Sequence, residues 1–274
     1  MRLSLLLRAS DLLRNAAAAA GGLVPVVSAQ WLGTGVRYSE ALQLQQSLVD
    51  AALARKRDGL CVENRLLLLE HAPVYTVGIR SQRYSPAERQ RLEELSADFV
   101  ETNRGGLITF HGPGQLVAYP ILDLEQFVDA DGHKTLGVKA YVCKLERTVI
   151  RLLREQFGLE ASTSPDTGVW LGIDSPGEFE RKIAAIGLNV RQGVCSHGLA
   201  LNCDVDLDWF GHIVACGLVG KGVTSLCAEL RRRVTVEQLL PAFCAAFASE
   251  MDCEIETGLD SAEHEGSVHC GGLE

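Results

Sequence analysis

Apolar positions recur along this chain with two periods, one helical and one of the strand type, and their succession maps its elements. Ala41, Leu44, Leu48 and Ala52 repeat at helical spacing among Gln and Asp. Ser39 to Arg57 is therefore predicted as an amphipathic helix, capped by Ser39 and closed by Gly59. The longest such pattern, Thr135 to Phe157, places Val138, Tyr141, Val142, Leu145, Val149, Leu152 and Leu153 on one stripe and stops at Gly158. Pro86 to Leu95 and Thr235 to Ala248 complete the helices. Shorter β-like segments lie between them, at 30–36, 65–70, 73–77, 99–102, 168–171, 183–190 and 197–201. Arg65 to Glu70 holds four consecutive leucines bounded by charges, as a strand buried on both faces requires. Residues 107–110 and 116–122 flank an H-G-P-G turn as the arms of a hairpin would. The elements interleave without a strict βαβ period, and this predicts an α/β fold of the α+β kind, a mixed sheet with packed helices. No internal repeat or linker divides the chain, so one domain is expected.

Composition adds a boundary at each end. With 47% hydrophobic and 22% charged residues among 274, the chain can bury a substantial core. The net charge of -9 is concentrated: residues 250–274 carry eight acidic side chains and no Lys or Arg. The remainder is close to neutral, which argues against a general nucleic-acid binder. Met1 to Gly22 is rich in Leu and Ala and holds Arg2, Arg8 and Arg14 against the single acid Asp11, the pattern of a mitochondrial transit peptide. A secretory signal fits less well, because Arg8 and Asp11 interrupt the leucine run; an ordinary terminal helix is the other alternative. The expected organisation is a transit peptide at 1–27, a catalytic domain at 28–250 and an acidic, disordered tail at 251–274. No segment has the ~18 uncharged apolar residues needed to span a bilayer, so no membrane partner is expected. Nine scattered cysteines without a C-x-x-C pair resemble neither a disulfide framework nor a zinc site, and the seven histidines lack metal-ligand spacing. No metal is expected.

Three segments could carry chemistry. Arg104 to Gln115 (R-G-G-L-I-T-F-H-G-P-G-Q) has glycines that let backbone approach a ligand, but it lacks the P-loop and Rossmann spacings, and a plain tight hairpin explains it equally well. Lys182 leads into the apolar run Ile183 to Leu188. It is either one of two solvated charges with Arg181 or a partly desolvated amine with a lowered pKa. Cys216 is either a core thiol or, because G-L-V-G-K follows it, a thiol exposed at a turn where backbone N–H groups favour the thiolate.

Taken together, these segments and their neighbours resemble one family. E-H-A-P-V-Y-T-V-G (70–78), the 104–115 string, R-K-I-A-A-I-G (181–187), H-G-L-A-L-N (197–202) and A-C-G-L (215–218) are similar, in order and spacing, to the lipoyl(octanoyl) transferases, the LipB-type enzymes of protein lipoylation. The resemblance covers about Gln30 to Ala248. It implies a single domain of the biotin/lipoate protein ligase catalytic type. Cys216 would be the acyl-thioester nucleophile, and Lys182 would lower its pKa and shuttle protons. Arg104, Gly105, Gly106, Leu107, Ile108, Thr109, Phe110 and His111 would line the acyl pocket, with Ala185, Ile186 and Gly187 and with Gly198, Leu199 and Ala200.

The implied donor is octanoyl-acyl carrier protein. The implied acceptors are lipoyl domains, such as the glycine cleavage H protein and 2-oxoacid dehydrogenase E2 subunits. No cofactor is implied, because the donor is already activated. A monomer in the mitochondrial matrix is expected. Ala215 departs from the family, where proline often precedes the nucleophile. The competing expectations are an ATP-dependent lipoate or biotin ligase, a cysteine hydrolase pairing Cys216 with His197 or His212, and a non-catalytic module that binds acyl carrier or lipoyl domains.

Overall fold

The computed structural model describes residues 24–79, 84–127, 136–173, 179–214 and 221–257. Along the chain these form β1 (Val26–Trp31), α1 (Tyr38–Arg57), β2 (Asn64–Leu69), β3 (Val74–Val77), α2 (Pro86–Glu93), β4 (Asp98–Glu101), β5 (Thr109–His111) and β6 (Gln115–Ile121). There follow α3 (Val138–Phe157), β7 (Val169–Leu171), β8 (Arg181–Arg191), β9 (Val194–Asn202), a short α4 (Asp208–Gly211), β10 (Gly222–Val223), α5 (Leu226–Leu230), α6 (Val236–Met251) and β11 (Glu254–Thr257).

Among the described residues, a mixed sheet of eight strands has the order β10-β8-β9-β6-β2-β1-β11, with β7 also paired to β8. A second sheet of three strands has the order β4-β3-β5. The expected mixed α+β architecture is therefore present. Its centre shows why β2 reads as an unbroken leucine run. Leu66 and Leu68 enter the core beneath α3 and α6, whereas Leu67 and Leu69 enter the core beneath α1. Successive side chains of a strand point to opposite faces, so only an apolar residue at every position serves a strand covered on both. Burial of each such leucine is worth roughly 1.5–3 kcal/mol.

The predicted helices hold, with adjusted ends. α3 carries its stripe through Tyr141, Leu145, Val149, Leu152 and Leu153 and ends at Gly158 in the left-handed conformation (φ 64°). α6 starts at a capping box between Thr235 and Gln238. α1 begins one residue before the expected Ser39 cap, at Tyr38, and Arg37 in the cap position makes no side-chain capping bond.

Several boundaries differ from expectation. The first strand is Val26–Trp31 rather than 30–36, and Val36 makes only an isolated bridge to His71. Val26 and Val27 thus lie in a strand, although the expected transit peptide extended to residue 27; most of that peptide, 1–23, lies outside the described residues. The acidic tail expected to be disordered begins as β11, which extends the sheet parallel to β1; residues 258–274 lie outside the described residues.

The largest correction concerns the H-G-P-G turn. Its two arms do not pair with each other: β5 pairs with β3 in the small sheet, and β6 pairs with β2 and β9 in the large one. The turn is instead held from outside. The Gly114 N–H donates to the Glu70 carboxylate (2.6 Å), and its carbonyl accepts from the N–H groups of Cys203 (3.0 Å) and Asp204 (2.8 Å). The chain crosses here from one sheet to the other, and a cleft opens between the sheets.

Candidate active site

The cleft is roofed by the loop after Asn103, which lies against β8 through backbone groups. Gly105 N–H donates to the Leu188 carbonyl (2.8 Å), and Asn189 Nδ2 donates to the Asn103 carbonyl (2.9 Å). This close approach needs a residue without a side chain beneath it: a Cβ on Gly187 would stand 3.0 Å from the Gly105 oxygen and 3.1 Å from Arg104 Cδ. Gly198 on β9 is more constrained, because a Cβ there would stand 2.1 Å from the Ala118 oxygen of β6.

The cleft holds about 450 Å³ of space between atoms, part of it open solvent. Its lining includes the expected Arg104, Gly106, Leu107, Thr109 and His111, with Ala185 to Gly187 and Gly198 to Ala200. Gly105, Ile108 and Phe110 are not part of it. Strand alternation sends Ile108 and Phe110 into the core of the small sheet with Tyr75 and Phe99. Tyr38, Tyr119 and His197 also line the cleft and were not among the expected lining residues. His197 opens the H-G-L-A-L-N string, so a signal existed for it. Tyr38 and Tyr119 sit in ordinary apolar patterns and gave none.

The surface of the cleft is mostly apolar, and its polar side chains are nearly uncharged. His71, beside the cleft, is fully buried; its Nδ1–H donates to the Val36 carbonyl (2.8 Å), so Nε2 accepts from the Tyr119 hydroxyl (2.8 Å). Burial lowers the His71 pKa to about 4. His111 Nδ1–H donates to Gln115 Oε1 (2.7 Å), since Gln115 Nε2 is committed to Asn202 Oδ1 (2.9 Å) and the Phe110 carbonyl (3.2 Å). Burial, reinforced by His71 and Arg104, holds His111 well below the usual histidine range. Burial and the Arg104 charge bring His197 to about 4. Burial raises Tyr38 to about 12 and holds Tyr119 well above the usual tyrosine range. At neutral pH, Arg104 is accordingly the charged residue of the lining, among the described residues. Its Nη2 donates to the Thr76 carbonyl (2.6 Å), Thr76 Oγ1 (2.9 Å) and the Leu107 carbonyl (3.0 Å), and its Nη1 donates to the Gly105 carbonyl (2.9 Å). The guanidinium staples the roof loop to β3.

His197 joins the parts of the cleft. Its backbone is left-handed (φ 55°), a strained conformation for a non-glycine residue. Two bonds hold it: its N–H donates to Gln45 Oε1 of α1 (2.8 Å), and its Nε2 meets Asn103 Oδ1 of the roof loop (2.7 Å).

Lys182 lies on β8, three residues before the cleft begins at Ala185. It is 8% exposed, and its Nζ donates to the Thr167 carbonyl (3.0 Å) and stands 4.7 Å from the centroid of the Trp170 indole. Among the described residues no carboxylate lies within salt-bridge distance of it. β10 runs parallel to β8 with Val223 opposite Lys182, and the Thr224 N–H donates to the Lys182 carbonyl (2.9 Å).

Cys216 and Ala215 lie outside the described residues, at 215–220. On one side of that gap Ile213 packs against the small-sheet core; on the other the chain resumes at Lys221, beside β8. The buried cysteines Cys195, Cys203, Cys244 and Cys253 have thiols raised by burial, as small core residues do. His212 is exposed, and its carbonyl accepts from Arg91 (2.7 Å). Among the described residues, no three His, Cys, Asp or Glu side chains gather as a metal site would, and no helix is long and apolar enough to cross a membrane.

Comparison with known proteins identifies the family. The lipoyl protein ligase A/B catalytic domain family matches residues 37–248. A mitochondrial octanoyl-acyl-carrier-protein:protein N-octanoyltransferase of Danio rerio is 50% identical over 220 residues, spanning 80% of this chain and 90% of its own. An octanoyltransferase of Mycobacterium leprae is 44% identical over 227 residues, spanning 82% of this chain and 88% of its own. The structure of a lipoate-protein ligase A bound with ATP superimposes with a TM-score of 0.59 at 14% identity, over 87% of this chain and 90% of that one, which shows a common fold. The chain therefore belongs to the lipoyl protein ligase A/B catalytic-domain family, in its octanoyltransferase branch.

Proposed function

We propose that this octanoyltransferase works through an acyl-thioester on Cys216, with Lys182 as its proton carrier and the cleft between the two sheets as the acyl pocket. The carrying observation is the placement of Lys182 on the same strand as the cleft lining, three residues from Ala185. Val223 of β10, seven residues after Cys216 in the chain, lies opposite Lys182.

The donor is octanoyl-acyl carrier protein. Lys182 takes the Cys216 proton, and the thiolate attacks the thioester carbonyl. Collapse of the tetrahedral intermediate expels the carrier's thiolate, which Lys182 reprotonates. A neutral lysine amine of a lipoyl domain then attacks the Cys216 thioester, Lys182 accepts the amine's proton, and the cysteine is released. Acceptors of this chemistry are the glycine cleavage H protein and the E2 subunits of 2-oxoacid dehydrogenases. The names of the animal relatives support mitochondrial placement, and an N-terminal transit peptide would deliver the protein, as a monomer, to the matrix.

The cleft suits an octanoyl chain. Apart from Arg104, whose charge is directed to backbone carbonyls, its walls are neutral, and each methylene buried is worth ~0.8 kcal/mol. The histidines nearby do not fit the role of proton carrier, because burial keeps them neutral and His197 is committed to Asn103.

Mass spectrometry after incubation with octanoyl-carrier protein tests the route. An octanoyl adduct on Cys216, weakened in Lys182→Ala, is expected; absence of any adduct in the wild type overturns it. Full activity of Cys216→Ala with ATP and free octanoic acid would instead assign a ligase mechanism.

A further inference from the structure

Trp170 carries a second cation. Lys221 Nζ also stands 4.7 Å from the indole centroid, and it pairs with Asp166 Oδ2 (2.8 Å) and Glu180 Oε2 (2.8 Å). Asp166 is the hub of this corner. Its carbonyl accepts from Trp170 Nε1–H (2.9 Å) and from the Ser164 hydroxyl (3.2 Å), while its N–H donates to the Ser164 oxygen (3.1 Å). The next residue, Thr167, supplies the carbonyl that receives the Lys182 amine (3.0 Å). Both contacts of Lys182 Nζ among the described residues thus lead to Asp166: Thr167 follows it in the chain and the Trp170 indole bonds to its carbonyl, while its carboxylate pairs with Lys221.

We infer that Lys221 is a positioning residue for Lys182, acting through Asp166 and Trp170. The assignment rests on Lys182 being the proton carrier. A surface ion pair would be the ordinary account of Lys221, whose side chain is 27% exposed against 39% for Asp166 and 42% for Glu180. Pairs this exposed contribute little to stability. Their convergence on one loop and one ring, both in contact with Lys182, is what that account leaves unexplained.

The surrounding charges do not replace Lys221. Arg181 is engaged by both oxygens of Glu229 (2.6 and 2.8 Å), and Glu146 Oε1 accepts from the Gly168 N–H (3.0 Å). Asp166 and Glu180 neutralise Lys221, so the second cation can share the indole without facing Lys182 as an uncompensated charge. A misplacement of about 1 Å in a reacting group can cost on the order of 100-fold in rate.

The test compares Lys221→Met, Asp166→Asn, the double variant and Lys221→Arg in octanoyl transfer by the full chain, with octanoyl-carrier protein as donor. Positioning predicts that Lys221→Met and Asp166→Asn each lower kcat about 10-fold, with KM for the donor within about twofold of wild type and an unchanged melting temperature. The double variant should be no slower than the slower single one, because both act on the same loop. Lys221→Arg, which keeps a cation for the indole and the two carboxylates, should recover most of the rate. Wild-type kcat in Lys221→Met, multiplicative losses in the double variant, or a rise in KM alone would overturn the inference. Unimpaired transfer by Lys182→Met would instead overturn the role of Lys182 as proton carrier. Should Lys221→Met fail to fold, Asp166→Asn and Lys221→Arg still decide the matter.

Discussion

The cleft proposed as the acyl pocket and the Lys182 corner share strand β8, yet they are built by different means. The cleft is shaped by backbone: the roof loop bonds to β8 through Gly105 and Asn103, and Gly187 and Gly198 let main chains approach where any side chain would collide. Its polar side chains other than Arg104 are buried and neutral. The Lys182 corner is shaped by side chains, two lysines on one indole with carboxylates behind Lys221. Shape, which an alkyl chain reads, is secured by groups that cannot titrate near neutral pH. The amine proposed to move protons stands instead against the Trp170 ring, which it shares with Lys221. Perturbing one half should therefore leave the other measurable.

The largest effect is expected at the corner. Lys182→Met should lower kcat by about 100- to 10,000-fold, the usual contribution of general acid–base catalysis, with little change in melting temperature. Steady-state transfer kinetics check it, and a near-wild-type rate would remove Lys182 from the mechanism.

Acid should strike the cleft instead. His71 and His197 have folded pKa values of about 4, below the ordinary 6.5, so the unfolded chain binds more protons between those values. The stability of the neutral imidazoles is complete above pH 6.5 and is lost as pH falls from 6.5 toward 4, on the order of 3 kcal/mol for each histidine. Urea midpoints at pH 7.5, 5.5 and 4.5 should fall in that order; a flat series would mean that the imidazoles are not buried as described.

Gly198→Ala places a methyl group against the Ala118 carbonyl and should destabilise by about 1–3 kcal/mol, while acylation of Cys216 by a small activated acyl donor persists. An unchanged denaturation midpoint would show that β6 and β9 can separate there. The smallest change is Tyr119→Phe, which removes the hydroxyl bonded to His71 Nε2 and should cost about 1 kcal/mol, with kcat unaffected. A collapse of kcat in that variant would erase the division between the two halves.

Much of the fold was readable from local pattern. The α3 stripe, its stop at Gly158 and the leucines of β2 all depend on residues within a few positions of one another. The H-G-P-G hairpin failed because turn residues specify a bend, not a partner: Glu70 and residues 203–204 hold the turn, and they take its arms to different sheets. The contiguous string 104–111 could not show that Ile108 and Phe110 turn away from the cleft while Thr109 and His111 face it. Gln45 reads as a polar interruption of an apolar helix face, and its use appears only where the His197 N–H meets it.

The sequence by itself determined the family, through ordered strings at 70–78, 104–115, 181–187, 197–202 and 215–218. It also determined most elements, because helical and strand periodicity are properties of neighbouring residues. Only the tertiary structure decided which strands pair, which side of β5 faces the cleft, which histidines stay neutral and what holds Lys182. Each of those depends on burial and on bonds between residues far apart in the chain. Thr167 and Lys182, Asp166 and Lys221, and Gln45 and His197 become neighbours only when the sheet forms.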